Sequence, residues 1–103
     1  MINIIGVGEM GCKLATEFAK SEHYDVYKIG IDLPKNKRSR GMKKQTCAEK
    51  YEQNCPPMKH FLKELSGRSI LLVNGGEAIS AVTLRVLENC HPWATTVAYI
   101  EPD

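Results

Sequence analysis

The chain opens on an almost continuous apolar run, Ile2–Val7, which leads straight into glycine-rich sequence. Strands that are covered on both faces have this uninterrupted pattern, whereas strands with one wet face alternate between apolar and polar side chains. The run therefore predicts a central strand of a parallel sheet. Parallel strands need crossover connections, so helices are expected between this strand and its neighbours.

The rest of the chain alternates strand-like runs with segments of helical period, which is typical of an α/β domain. Asp25–Ile31 alternates apolar and polar side chains, which suits an edge strand with one partly wet face. Ser69–Val73 is apolar after its first residue, and Thr96–Ile100 is rich in β-branched and aromatic residues. The predicted fold class is α/β, with a small doubly wound, mainly parallel sheet of about four strands and helices on both faces.

Helical spacing of apolar residues predicts a first helix from about Glu9 to Ser21. A second helix is expected after Pro56–Pro57, a third is closed by His91–Pro92, and Thr46–Asn54 is expected to add a short helical turn. The apolar stripe of the second helix is Met58, Phe61, Leu62 and Leu65, and that of the third is Ile79, Val82, Val86, Leu87 and Cys90.

Short, right-handed connections place the first strand between the second strand and the strand at Ser69–Val73. The topological switch point then lies beside the first strand, and folds of this kind bind ligands at the carboxyl ends of the strands there. Both glycine-rich turns of the chain fall at this place.

One hundred and three residues, 43% of them hydrophobic and 25% charged, predict a single domain over residues 1–103. The apolar runs are far shorter than the ~20 residues of a membrane-spanning helix, so no membrane association is expected. Met1 leads into the first strand without a basic or cleavable leader, which predicts a cytoplasmic location, or the host cytoplasm for a viral protein.

The four cysteines, Cys12, Cys47, Cys55 and Cys90, follow no paired spacing and are expected to be reduced thiols. They lack the Cys-x-x-Cys knuckles of a zinc site, so no metal site is predicted. No grouping of Ser, His and Cys predicts catalytic residues. Cys12 is expected to be a small buried residue rather than a reactive thiol.

Six of the fourteen basic residues lie between Lys35 and Lys44, and residues 35–45 are interpreted as a basic loop. Most runs of this kind are solvated mobile loops. The alternative is a loop that contacts an anionic partner: nucleic acid, an acidic protein or the phosphates of a nucleotide. Because no aromatic side chains are interleaved with the charges, sequence-specific recognition of nucleic acid is not expected.

Residues 6–11 read G-V-G-E-M-G, a G-x-G-x-x-G motif between a strand and a helix. In this context Gly6 would allow the tight turn, Gly8 would let a phosphate approach backbone N–H groups, and Gly11 would let the helix pack on the sheet. The demands of the turn and of helix packing also explain the same glycines without any ligand.

A second glycine turn, N-G-G-E-A-I-S over residues 74–80, also joins an apolar strand to an amphipathic segment. Two helix N-termini, each equivalent to about half a positive charge, would then face one anion, and a polyphosphate suits that place. Ser80 could donate its hydroxyl to phosphate or serve only as a local cap. Glu9 and Glu77 put carboxylates at these helix starts, which disfavours phosphate unless Mg²⁺ lies between them.

These two turns, in this order, resemble the nucleotide-binding half of the tubulin/FtsZ superfamily, where a first loop wraps the phosphates and a later glycine-rich loop completes the phosphate cradle. The divergent tubulin-like proteins of bacteria and bacterial viruses are the nearest in pattern. The resemblance implies a site for GTP or GDP with Mg²⁺. The implied nucleotide-binding residues are Gly6, Gly8, Glu9, Met10, Gly11 and Cys12 in the first loop, and Asn74, Gly75, Gly76 and Ser80 in the second.

The chain departs from that family at residues 77–80, where E-A-I-S replaces the family's G-T-G-T/S, and the bulky Ile79 could close the pocket. The base-contacting central helix, the activation domain and the acidic catalytic loop of the family have no counterpart in the sequence. The resemblance therefore implies a truncated domain that binds guanine nucleotide phosphates weakly or has lost binding, without a complete GTPase apparatus.

Two other functions fit the same pattern. The first is a non-catalytic interaction or structural module that acts through a protein partner or through self-association, since the sheet edges are free to pair. The second is an NAD(P)-binding Rossmann unit, because Asp32 follows the second strand, 21 residues after Gly11, where an acidic residue can bond the adenine ribose. NAD is the less expected cofactor because that interpretation gives the second glycine turn no role.

Overall fold

β1 (Ile2–Val7) is the middle strand of a five-stranded sheet in which neighbouring strands run parallel. The computed structural model describes residues 1–100. β1 pairs with β2 (Tyr24–Ile31) on one side and with β4 (Ser69–Asn74) on the other, while β3 (Ser39–Met42) and β5 (Thr95–Ile100) form the edges. The order β3-β2-β1-β4-β5 is that of a Rossmann-like fold.

Helical segments connect the strands on both faces of this sheet. α1 (Gly8–Phe18) follows β1, and α2 (Ala48–Gln53) follows β3. After β4 the chain forms a 3₁₀ helix at Ala78–Val82 that continues into α3 (Thr83–Leu87), and a 3₁₀ turn at Pro92–Ala94 precedes β5. The predicted α/β sheet with the first strand in its middle is confirmed. Among residues 1–100, no helix combines the length and the apolar character needed to cross a membrane.

Each face of the sheet carries its own hydrophobic cluster. On one face, Ile4 and Leu72 pack against Ala15 of α1. Because both faces of β1 are covered, its side chains from Asn3 to Val7 are buried, as the uninterrupted apolar run predicts. The larger cluster, on the opposite face, joins the strands to α2, to the helical segments after β4 and to residues 56–65; its members include Ile5, Tyr27, Met42, Tyr51, Met58, Leu62, Val73 and Val82.

The sheet has one strand more than the sequence analysis predicts. The segment interpreted as a basic loop contains β3, which pairs with β2 from Lys28 opposite Ser39 to Ile31 opposite Met42. β2 is therefore an interior strand, and the prediction of an edge strand there was wrong. β3 covers only the carboxyl half of β2, and the first three residues of β2, Tyr24 to Val26, stay half-buried.

α1 ends at Phe18 rather than Ser21, and α2 confirms the helical turn expected at Thr46–Asn54. The other two predicted helices differ from the structure. Residues 58–65 form successive turns instead of a helix: Leu62 N–H donates to the Met58 carbonyl at 2.9 Å, but the later bonds reach only three residues back. So short a segment gains few helical bonds, and burial of Met58 and Leu62 in the core decides its path. The apolar spacing thus identified the buried residues of this segment but not the conformation of their backbone. The predicted third helix is divided between a 3₁₀ helix and α3.

Glycine lines the contact between α1 and the sheet. A Cβ on Gly11 would overlap the Leu72 carbonyl oxygen, and a Cβ on Gly6 would lie 2.5 Å from the Gly11 carbonyl oxygen. The packing role expected of Gly11 is therefore found. Gly6 serves the same contact, since its φ is not positive and the turn itself is made at Gly8.

Replacing Gly11 by alanine tests this contact. We expect Gly11→Ala to lower the free energy of unfolding by about 2–4 kcal/mol, because the added Cβ meets backbone rather than the end of a flexible side chain. Gly75→Ala is the matched control, since a Cβ there has Tyr99 Cδ1 at 4.0 Å as its nearest neighbour. Urea unfolding followed by circular dichroism compares them. Equal midpoints for Gly11→Ala and the parent would contradict the packing.

Candidate functional site

The first glycine turn, residues 6–11, and the second glycine turn, residues 74–80, lie at the same edge of the sheet. Each follows the carboxyl end of its strand, and β1 and β4 are paired neighbours with Val7 opposite Val73. α1 begins at Gly8, whose φ of +82° is a left-handed conformation that glycine adopts without strain. The expected juxtaposition of the two turns is therefore found.

The carboxylate of Glu77 binds the N-terminus of α1. Its Oε1 accepts a hydrogen bond from the Glu9 N–H at 2.8 Å, and its Oε2 accepts one from the Met10 N–H at 3.2 Å. The first N–H groups of a helix have no partner within the helix, and the positive end of the helix dipole favours an anion beside them. Glu77 thus supplies an internal anion at the place where a phosphate would bind in a turn of this type.

Glu77 and Ile79 together cover Gly8. A Cβ built on Gly8 would lie 2.8 Å from Glu77 Oε1 and 2.9 Å from Ile79 Cγ2. Ile79 is 2% exposed and belongs to the larger hydrophobic cluster. This position is consistent with the expectation that Ile79 could close a nucleotide pocket at the first glycine turn. The space directly above Gly8 is filled by the protein's own side chains.

The second glycine turn is held by its own side chain and backbone. Asn74 Oδ1 accepts a hydrogen bond from the Gly76 N–H at 2.8 Å, and the Asn74 carbonyl accepts one from the Glu77 N–H at 3.1 Å. Ser80, half-buried, lies in the 3₁₀ helix that follows. Of the two expected helix N-termini, the first is that of α1 and the second is that of the 3₁₀ helix at Ala78–Val82, since α3 begins only at Thr83.

Asp32 directly follows the last residue of β2, at the same carboxyl edge of the sheet. Its φ of +56° places it in the left-handed region, which Asp and Asn tolerate better than most residues, and its N–H donates to the Met42 carbonyl at 2.9 Å. These features explain Asp32 as the residue that turns the chain out of β2. Its side chain is exposed, and a contact to ribose stays a prediction.

Cys12 lies under the first glycine turn. Its thiol lies 3.4 Å from both the Gly6 carbonyl and the Ile29 carbonyl, within hydrogen-bonding reach of β1 and β2. Burial raises the pKa of the Cys12 thiol to about 11. Little of the nucleophilic thiolate therefore forms near neutral pH, as expected for a structural cysteine.

Within residues 1–100, no three His, Cys, Asp or Glu side chains converge on a point that could hold a metal ion.

The four cysteines form no disulfide bond. Burial also raises the thiol pKa of Cys55 and of Cys90 above its ordinary value, whereas the side chain of Cys47 is exposed.

The sequence analysis placed Glu77 at the start of its own helix and missed its contact with α1. The signal was present: an acidic residue follows two glycines at the end of a strand, beside a helix whose first N–H groups need an acceptor. Sequence spacing also gave no sign that one cavity is bordered by Tyr27, Phe61 and three basic residues of segment 35–45, because the cavity depends on the path of residues 57–64. The three basic residues are Lys35, Lys37 and Arg40.

Alkylation of the cysteines tests the burial of Cys12. At about pH 8 we expect iodoacetamide to modify Cys47 at least about tenfold faster than Cys12, because only about one in a thousand Cys12 thiols would be ionised. Mass spectrometry of peptides from a time course gives the rates, and unfolding in urea should bring them together. Equal rates in the folded protein would contradict the burial of the thiol.

Comparison with known proteins supplies no relative for this chain. No family model matches it, and neither a curated protein nor a solved structure does. The resemblance to the tubulin/FtsZ superfamily consequently rests on the two glycine turns alone. What the structure itself establishes is an α/β domain with a Rossmann-like parallel sheet.

Proposed function

We propose that this chain is a tubulin/FtsZ-like nucleotide-binding domain in which Glu77 takes the position of a nucleotide phosphate and keeps the binding of GTP and GDP weak. The observation that carries the proposal is the pair of hydrogen bonds from the Glu9 and Met10 N–H groups to one carboxylate. Two backbone donors that converge on two oxygens of one anion have the arrangement that a phosphate also needs.

Glu77 and a phosphate compete for the same donors. A phosphate can reach the Glu9 and Met10 N–H groups only after the Glu77 side chain has left, and this exchange costs two charge-assisted hydrogen bonds. A carboxylate that stays nearby also repels the incoming phosphates. Mg²⁺ usually binds through one or two carboxylates together with substrate phosphates, and Glu9 and Glu77 are the carboxylates at this end of α1.

Neutralising Glu77 tests the competition. We expect Glu77→Gln to bind GTP at least about tenfold more tightly than the parent, because the neutral amide neither repels phosphate nor holds the N–H groups as strongly. Titrations with GTP, GDP and NADH, each with Mg²⁺, give the affinities. Amide chemical shifts of Glu9 and Met10, followed by NMR, report whether the phosphate reaches α1.

Glu49→Gln is the matched control for charge, since Glu49 lies in the first turn of α2 and is exposed. It should leave nucleotide affinity unchanged. If Glu77→Gln prefers NADH to GTP, the dinucleotide alternative, with Asp32 at the ribose, replaces the guanine nucleotide. If neither ligand binds Glu77→Gln at millimolar concentration, the proposed function is refuted.

An interaction module remains the second candidate because of the sequence of β5. This edge strand, T-T-V-A-Y-I, carries no charged side chain, and its outer side has no strand partner among residues 1–100. Native edge strands usually carry charges or bends that prevent pairing with another chain. Trp93, in the 3₁₀ turn before β5, is 77% exposed, and Tyr99, near the end of β5, is 67% exposed. These features favour pairing of β5 with the β5 of a second copy.

A charge on β5 tests this second candidate. We expect the parent to form a dimer at micromolar concentration and Thr96→Lys, at an exposed position of β5, to weaken it by about tenfold or more. Thr46→Lys makes the same chemical change at an exposed position before α2 and serves as the control. Sedimentation velocity measures the association. A parent that stays monomeric over the whole accessible concentration range would rule out pairing through β5.

A further inference from the structure

A cavity of about 620 Å³ lies on the face of the sheet opposite α1, bordered by β2, by residues 35–40 and by residues 57–64. We call it the basic cavity. Its size is within the range of pockets that bind small organic ligands, which is roughly 300–1,000 Å³. It is separate from the two glycine turns, because no residue of either turn contributes to its wall.

The floor of the basic cavity is aromatic. Tyr27 and Phe61 both line it, and their rings meet edge to face with centroids 5.7 Å apart. Tyr27 is 2% exposed and belongs to the larger hydrophobic cluster, so its ring is fixed by the core. The Arg38 guanidinium lies 4.7 Å from the centroid of the same ring and 3.3 Å from Asp25. Phe61, which is half-buried and backed by Tyr27, is therefore the part of this floor that a flat ligand ring can reach.

The rim of the basic cavity is positively charged. Four of the residues that line it, Lys35, Lys37, Arg40 and Lys63, are cationic, against a single carboxylate, Glu64. Glu64 forms an ion pair with Lys37 at 3.3 Å, and both side chains are more than half exposed. Exposed pairs of this kind contribute little and are easily exchanged. In the part of the chain that the structure describes, Lys35, Arg40 and Lys63 have no carboxylate oxygen within 4.0 Å.

Arg40 adds an unmet donor to this charge. Its backbone is fixed in β3 opposite Ile29, its side chain lines the cavity, and its Nε is buried with no hydrogen-bond acceptor among residues 1–100. Buried donors are rarely left without a partner, because the lost hydration is not replaced. A guanidinium in this situation is well suited to an oxyanion, which it can hold through two parallel N–H groups.

We propose that the basic cavity binds a small organic anion that combines a flat ring with a phosphate group, the chemical class of the nucleoside monophosphates. The ring packs on Phe61, which Tyr27 supports from the core, and the phosphate is bound by Arg40 with Lys35 and Lys63. The aromatic floor selects for the ring, and the cationic rim selects for the charge. This site is independent of the one at α1 and does not need Glu77 to move.

NMR titration with AMP and GMP tests the proposal, with adenosine and inorganic phosphate as the two half-ligands. The expected result is chemical-shift change at residues 35–40 and 57–64 with either nucleotide, and binding at least about tenfold weaker for each half-ligand. The double variant K35Q/K63Q should weaken AMP binding by about tenfold or more, since both lysines are exposed and their loss should leave the fold intact. Glu64→Gln, which frees Lys37, should strengthen binding.

Matched controls separate the local site from overall charge. K13Q/K50Q removes the same charge from exposed lysines outside the cavity, and Glu17→Gln breaks the exposed Lys20–Glu17 pair on α1. Neither should change AMP affinity. The proposal is overturned if AMP and GMP cause no shifts, if K13Q/K50Q weakens binding as much as K35Q/K63Q, or if a half-ligand binds as well as AMP. Shifts confined to Glu9 and Met10 also overturn it, and they support the α1 site instead.

Discussion

The close contact between α1 and the sheet is the constraint that fixes the position of the helix N-terminus. Gly6 and Gly11 let the helix backbone lie against β1 and against the Leu72 carbonyl of β4, and a side chain at either glycine would force the helix away from the sheet. Its N-terminus is thereby held beside the end of β4. This placement lets a side chain of the next turn, Glu77, reach the free N–H groups of the helix.

The N-terminus of α1 and the basic cavity differ in how far their positive charge is already neutralised. At the N-terminus of α1 the positive end of the helix already has an internal anion, so an outside ligand has to compete with a tethered group. In the basic cavity, cationic side chains surround an aromatic floor, and the Nε of Arg40 is buried without an acceptor among residues 1–100. The glycine motif is the more recognisable feature of the sequence, but the cationic side chains that have no carboxylate partner lie in the basic cavity.

Local patterns predict the middle of this fold better than its margins. The apolar run of β1 and the glycines that follow it predict the central strand, the first helix and the switch point, because burial on both faces leaves a clear mark on a sequence. β3 leaves no such mark: it is a four-residue edge strand inside a run of positive charge. The contact of Glu77 with α1, and the cavity between β2 and residues 57–64, join residues distant along the chain, so spacing alone cannot reveal them.

The order of the strands also governs when the sheet can form. Of the five strands, β1 is synthesised before the others, but one of its two partners is β4, and the Asn3 side chain contacts Ser69, 66 residues later. Until that partner has been made, the most apolar strand of the chain has one open edge and one pairing with β2. Pairing between segments this far apart slows folding and leaves apolar surface exposed in folding intermediates. β1 is therefore fully buried only after β4 has been synthesised.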